Sequence, residues 1–155
     1  MASHDRLHTT GPAPATLDTA LAILRVVLGI VFIAHGGQKL FWNGIAGTTE
    51  GFATMGVLLP TVTAPLVAIV EFFGGIALVL GFFTRVAALG VGAVMLGAML
   101  MVHLPNGFFL PMGIEFTLVN LSIAVTLALL GPGAYSLDAR RAAERRTSAA
   151  GPATP

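Results

Sequence analysis

Four apolar stretches run through this sequence, at about 17–41, 61–83, 86–104 and 112–130, separated by segments rich in Gly, Pro and polar residues. A bilayer core about 30 Å thick needs roughly 20 predominantly apolar residues per crossing helix, and each stretch meets that length. Arg25 lies within the first, with His35 and Lys39 near its far end, and Glu71 alone interrupts the second. The third holds no fully charged residue, though His103 ends it, and Glu115 lies near the start of the fourth. Segments of about ten residues with alternating polarity would indicate a barrel, and none is present. The pattern predicts an all-α integral membrane four-helix bundle.

Composition agrees with this reading. The chain has 155 residues, 55% of them hydrophobic and 10% charged, and its mean hydropathy is +0.88. A soluble domain carries about 25% charged residues, so a water-soluble fold would have nowhere to hide this much apolar surface. A net charge of +1 leaves no broad basic face for nucleic acid. Cys is absent, which excludes disulfides, thiolate ligands and thiol catalysis by this polypeptide itself.

Basic residues give the expected orientation. With the N-terminus in the cytoplasm, Arg6, Arg85, Arg140, Arg141, Arg145 and Arg146 lie inside, and Arg25 can snorkel the same way. Lys39 alone lies outside, so both termini are expected to be cytoplasmic. The first stretch is read as a retained helix, because no good small-x-small cleavage site follows it before Gly36. Residues 1–16 and 147–155, rich in Ala, Pro, Thr and Gly, are expected to be disordered tails around a domain at 17–138. Gly131-Pro132-Gly133 ends the fourth helix. Ser136 can then N-cap a short basic amphipathic helix over 137–146, lying on anionic headgroups or serving only as a solvated tail.

Lipid offers no hydrophobic drive between helices, so small residues mark the close contacts. Gly74, Ala77 and Gly81 in the second stretch have the same spacing as Gly90, Ala93 and Gly97 in the third. The short turn at Phe83-Thr84-Arg85 predicts that these two stripes meet in an antiparallel hairpin, with Glu71 pointing toward the third helix. Asn120 lies on another face of the fourth helix from Glu115, where it can join a second helix or a protomer. The part of the 43–59 loop from Gly51 to Leu59 is expected to form a short interfacial helix.

Ionisable groups cost about 2.5–3.5 kcal/mol at a helix centre on insertion scales, so they usually face the bundle and mark function. His35, Gln38, Lys39, His103 and Glu115 all fall toward the outer side, and Glu71 lies roughly 15 Å deep at 1.5 Å per residue. Together with Ser122 and Thr126, they outline an outward-facing polar chamber. Three ligands suit such a chamber. A quinone would use the His and Glu groups for its oxygens, with Phe32, Trp42, Phe72, Phe73, Phe108 and Phe109 as its wall. A metal would take His35, His103 and one or both glutamates. A bis-His haem would use His35 and His103. The alternative is an ion-pair and hydrogen-bond network that merely holds four short helices in register, with Glu71 or Glu115 on Lys39 or Arg25. No phosphate-binding loop or nucleophile elbow is present.

Several motifs resemble the DoxX family. Leu24-Arg25 through His35-Gly36-Gly37-Gln38-Lys39-Leu40-Phe41 is similar to its first helix, as are Glu71-Phe72-Phe73-Gly74-Gly75 and Gly81-Phe82-Phe83-Thr84-Arg85 to later segments. His103-Leu104-Pro105-Asn106-Gly107-Phe108-Phe109 and Gly131-Pro132-Gly133-Ala134-Tyr135-Ser136-Leu137-Asp138 extend the likeness over about 17–138. The resemblance implies a four-helix protein of the bacterial inner membrane. It also implies membrane oxidoreductase systems: a thiosulfate–quinone oxidoreductase subunit, quinone- and catechol-stress proteins, and a complex joining superoxide dismutase to a sulfurtransferase. With no Cys in this chain, any thiol step in such a system falls to a partner.

The expected function is therefore a quinone-interacting inner-membrane subunit of an oxidoreductase or detoxification assembly, embedded in lipid as a homo-oligomer or part of a larger complex. His35 and His103 would hydrogen-bond the ligand or exchange protons with it, and Glu71 and Glu115 would relay or balance charge. Lys39 would hold an anionic or reduced form, with Gln38, Trp42, Phe72, Asn106 and Phe108 completing the ligand shell. The competing expectation is a non-catalytic scaffold that recruits partner proteins and uses these residues only for packing.

Overall fold

The computed structural model describes residues 13–149. Helix α1 (Pro14–Gly37) runs on as a π-helical turn over Gln38–Trp42, and α2 (Gly44–Thr54) follows. Next come α3 (Pro60–Leu80) and α4 (Thr84–Ala98), the latter extended by a second π-helical turn over Met99–His103 and a 3-10 turn over Leu104–Asn106. Helices α5 (Glu115–Leu130) and α6 (Leu137–Ala149) complete the described chain, which contains no strand. The expected N-terminal tail lies mostly outside the described residues, but helix starts at Pro14, where the fixed φ of Pro suits a first helical turn. At the other end, α6 continues through Thr147 and Ser148, which were expected to be disordered.

Three continuous helical segments, Pro14–Trp42, Pro60–Leu80 and Thr84–Asn106, are long and apolar enough to cross a membrane. Helix α5 has 16 residues, about 24 Å at 1.5 Å per residue, so the fourth apolar stretch is shorter as a helix than the sequence suggests. The remainder folds into a compact loop ahead of it. There the N–H groups of Gly113, Ile114 and Glu115 donate to the carbonyls of Phe109, Gly107 and Phe108 at 2.9–3.0 Å, as backbone near lipid requires. Large apolar side chains face outward: Ile23, Val27 and Ile30 on α1, Leu66, Ile69 and Phe73 on α3, Leu89, Leu96 and Leu100 on α4, and Val125 and Leu129 on α5. Aromatics are exposed at both ends, Trp42 and Phe109 at one and Phe83 and Tyr135 at the other, the positions membrane interfaces favour.

The closest helix pair differs from the one the glycine stripes suggest. A Cβ on Gly29 would lie 2.7 Å from the Gly75 carbonyl oxygen, and one on Gly75 2.7 Å from that of Gly29. A Cβ on Gly36 would lie 2.7 Å from Phe72 Cα. So α1 and α3 pack backbone to backbone. The α3–α4 hairpin is looser: a Cβ on Gly74 would lie 3.4 Å from the Val91 side chain and one on Gly90 3.3 Å from that of Val70, close but against side chains and not backbone. The buried core of Leu21, Leu28, Phe32, Leu78, Ala88, Val91, Met95, Ala124 and Leu127 occupies the half of the bundle nearer the chain termini.

That end is closed by the segment between α5 and α6. Arg25, only 3% exposed, donates to the carbonyls of Pro132 (2.8 Å) and Tyr135 (2.5 Å). It therefore turns into the protein and does not snorkel to a headgroup. Asp138 accepts the N–H groups of Phe83 and Thr84, both at 2.9 Å, and so caps α4 from a distant part of the chain. Its own N–H donates to Gly81 (2.9 Å), which ends α3 at φ +65°, and a Cβ there would lie 2.5 Å from Ser136. Ser136 Oγ accepts the Ala139 N–H (3.1 Å), the expected N-cap of the basic helix. Arg141 sits over the Phe82 ring at 4.4 Å. Asn120 is buried and donates to the Phe116 carbonyl one turn back (2.7 Å), so its amide bonds within its own helix and not to a neighbouring one.

Candidate functional site

The other half of the bundle is hollow. A cavity of about 710 Å³ lies among α1, α3, α4 and α5, within the size range of small-molecule sites. Phe52, Met55 and Val57, at and after the end of α2, and Leu110 and Pro111 from the loop before α5 form part of its lining. The expected short helix is therefore shifted toward the start of its loop, at Gly44–Thr54, so that 55–59 instead runs beside the cavity. Its walls are mostly apolar, with polar atoms from His35, Lys39, Glu71, His103, Thr63 and Thr117.

Lys39 and Glu71 form the central polar feature. Lys39 Nζ donates to Glu71 Oε2 at 2.6 Å and to the His35 carbonyl at 3.5 Å. Glu71, on α3, is buried at 3% exposure, placed by the close α1–α3 packing around Gly29, Gly36 and Gly75. It points into the bundle, and its partner in the π-helical turn after α1 is the Lys39 that the ion-pair alternative named. An ammonium has three donors, so one remains for a ligand. The His35 ring lies 5.5 Å from Phe116, tilted at 46°, which fixes one wall against α5. His103, also in the cavity lining, donates from Nδ1 to the Met112 carbonyl at 2.7 Å. A carbonyl only accepts, so that bond requires the proton on Nδ1 and leaves Nε2 of a neutral ring as the acceptor.

The DoxX family model matches residues 20–104, which includes all four of these ionisable groups. The chain belongs to the DoxX family. It is 36% identical to inner membrane protein YqjF of Escherichia coli (strain K12) over 124 residues, 78% of this chain and 91% of that protein. It is 34% identical over 124 residues to the Bacillus subtilis (strain 168) protein named "Putative oxidoreductase CatD", covering 79% and 87%. A third relative, the Mycobacterium tuberculosis membrane protein Rv3486, is 32% identical over 156 residues, covering 92% of this chain and 89% of its own. No solved structure matches the chain.

Within this DoxX chain the other sequence-derived candidates lie outside the cavity. Glu115 accepts the Leu110 N–H at 3.1 Å and so stabilises the loop at 107–114. Asn106 donates to the Val102 carbonyl at 2.8 Å, within its own turn. Gln38 is exposed. Ser122 and Thr126 bond to carbonyls one turn back along α5. The proposed aromatic wall disperses: Trp42 is 89% exposed, Phe108 is 50% exposed, and Phe32 belongs to the buried core. Phe72 packs on Gly36 and against Phe41 and Phe73.

The cavity aromatics are instead Phe52 and Phe116. Phe116 could have been found from its position beside Glu115 at the start of α5, whereas Phe52 depends on the placement of α2. Nor do the acidic and His residues converge on a metal. Among the described residues, no group of three or more His, Cys, Asp or Glu is close enough to hold one. Lys39 and His103 both lie in π-helical turns, a feature frequent at functional sites.

Proposed function

We propose that this DoxX protein is the membrane-embedded, quinone-binding subunit of an oxidoreductase or redox-stress assembly in the bacterial inner membrane, with both termini cytoplasmic. The Lys39–Glu71 pair at 2.6 Å on the wall of a largely apolar cavity carries this reading. The cavity's size, its apolar walls for a ring and its few convergent polar atoms fit such a ligand. The relative from Bacillus subtilis whose name contains oxidoreductase supports the reaction class.

A bound quinone supplies two-electron chemistry coupled to protons. The chain's own contribution is to hold its oxygens and to place protons. Glu71 fixes the Lys39 ammonium, which offers its free N–H to an oxygen of the ligand. His103 Nε2 accepts or returns a proton from the same cavity lining, and His35 offers a second ring nitrogen beside Lys39. Exclusion of water by Phe52, Phe116 and the valines of α3 and α4 strengthens each of these bonds.

The test is purification from native membranes in mild detergent, followed by solvent extraction and quantification of quinones. Wild type is expected to carry a stoichiometric quinone, and the His35→Ala/His103→Ala variant to elute as a folded, monodisperse protein without it. Retention of the quinone by that folded variant removes the histidines from the site. A well-folded wild type that carries no quinone but brings partner proteins with it makes the chain a scaffold.

A further inference from the structure

Helices α3 and α4 touch near their shared turn and then part. Gly74 meets Val91 and Gly90 meets Val70. Seven residues farther along α4, however, a Cβ on Gly97 would meet nothing within 4 Å. The space between the parted helices belongs to the cavity: Leu66 and Val67 on α3 line it, as do Ala93 and Gly97 on α4 and Met101 in the π-helical turn beyond it. Leu66 and Met101, on opposite sides of the gap, remain 57% and 42% exposed. Both helices are long and apolar enough to span the membrane, so a gap between them at this depth faces lipid and not water. The cavity therefore joins the Lys39–Glu71 pair to a mostly apolar trough that leaves the protein sideways, its other polar lining residues being His35, Thr63, His103 and Thr117.

We infer that the ligand is an amphiphile drawn from the bilayer, its polar head at Lys39 and Glu71 and its alkyl or isoprenoid chain lying between α3 and α4. This rests on the quinone reading for the head and adds the tail and the route of entry. A trough lined by Leu, Val, Ala, Gly and Met has nothing to offer a water-soluble quinone or catechol. Small residues at 93 and 97 keep one wall low enough for a chain to lie against the helix backbone. A flexible Met at the outer edge adapts to a tail of variable shape. The trough joins the head site without interruption, which favours a tail over a helix of a second copy.

The experiment uses the full chain in lipid nanodiscs with a benzoquinone carrying a decyl tail that ends in a diazirine, photolysed and mapped by mass spectrometry. Labels are expected at Leu66, Val67, Gly97 and Met101, and not at the lipid-facing Ile23, Val27 and Leu129. An excess of the same benzoquinone without a tail should abolish them, because both compete for one head site. The Gly97→Leu variant, which fills the trough where a side chain has room, should lose them while keeping its circular dichroism and elution volume. Labels spread evenly over lipid-facing residues, while the tailless compound still binds, overturn the trough and leave the head site standing. Trough labels that the tailless compound does not displace also overturn the inference, because the tail then binds without its head. No binding of either compound removes the head site as well. Loss of a dimer in Gly97→Leu, with no trough labels in wild type, assigns the gap to a second copy.

Discussion

At the end of the bundle nearest the termini, Arg25 and Asp138 direct their side chains at backbone groups of other segments. At the opposite end, Lys39 and Glu71 meet each other at the edge of open space. Each end places a charged side chain from α1 inside the protein, but the surroundings differ. Arg25 is enclosed by protein and bonded to two carbonyls through its terminal nitrogens, and its unpartnered Nε–H is buried with no open space beside it. Lys39 keeps a donor free beside a cavity. Charge committed to carbonyls fastens the fold, whereas charge with unused capacity in a hollow is available to a ligand.

A large effect should come from the fastened end. Arg25→Met leaves the Pro132 and Tyr135 carbonyls without their charged donor and should cost about 3 kcal/mol, as two bonds to a charged group imply. Thermal unfolding in mild detergent measures it, and an unchanged midpoint would erase the distinction between the two ends. A comparable loss, about 3 kcal/mol, is expected for Lys39→Met, which leaves Glu71 unpaired in its buried position. Most of that should return in Lys39→Met/Glu71→Gln, where neither partner is charged, while both variants lose bound quinone. If the double variant is no more stable than the single in denaturant titrations, the pair is not coupled as described. The smallest effects should be those of Trp42→Ala and Phe108→Ala, each within about 0.5 kcal/mol as for exposed positions generally. Their quinone content should stay at the wild-type level, and a drop in either would return an aromatic wall to the site.

The membrane-spanning helices were legible in the sequence because span length and apolar content are set by bilayer thickness, a constraint that acts on each segment separately. The same holds for the Ser136 cap, which depends on residues three apart. Helix pairing was less legible. Gly74, Ala77 and Gly81 form a convincing stripe, yet the backbones that meet are those of Gly29 and Gly75, and a stripe does not name its partner. Depth along the axis placed His35, Lys39 and His103 toward the outer side with Glu71 roughly 15 Å deep at 1.5 Å per residue, and the cavity includes all four. Azimuth was harder to read: the π-helical turns at Gln38–Trp42 and Met99–His103 add residues to a turn and change the facing of everything beyond them. That is why Trp42, Asn106 and Phe108 were assigned to a ligand shell they do not form. Glu115 was placed in the chamber because the fourth helix was expected to begin at Met112, whereas it begins at Glu115 itself.

The bonds at Asp138 also set an order of events during synthesis. The N–H groups at the start of α4 receive their side-chain acceptors from a residue more than fifty positions later, and Arg25 receives its carbonyls from still farther along the chain. While α1, α3 and α4 are being made and threaded into the bilayer, none of these acceptors exists. The hairpin enters the membrane with its turn unsealed, and the seal forms only after α5 has been made. The segment at 132–138 thus locks helices that were made well before it.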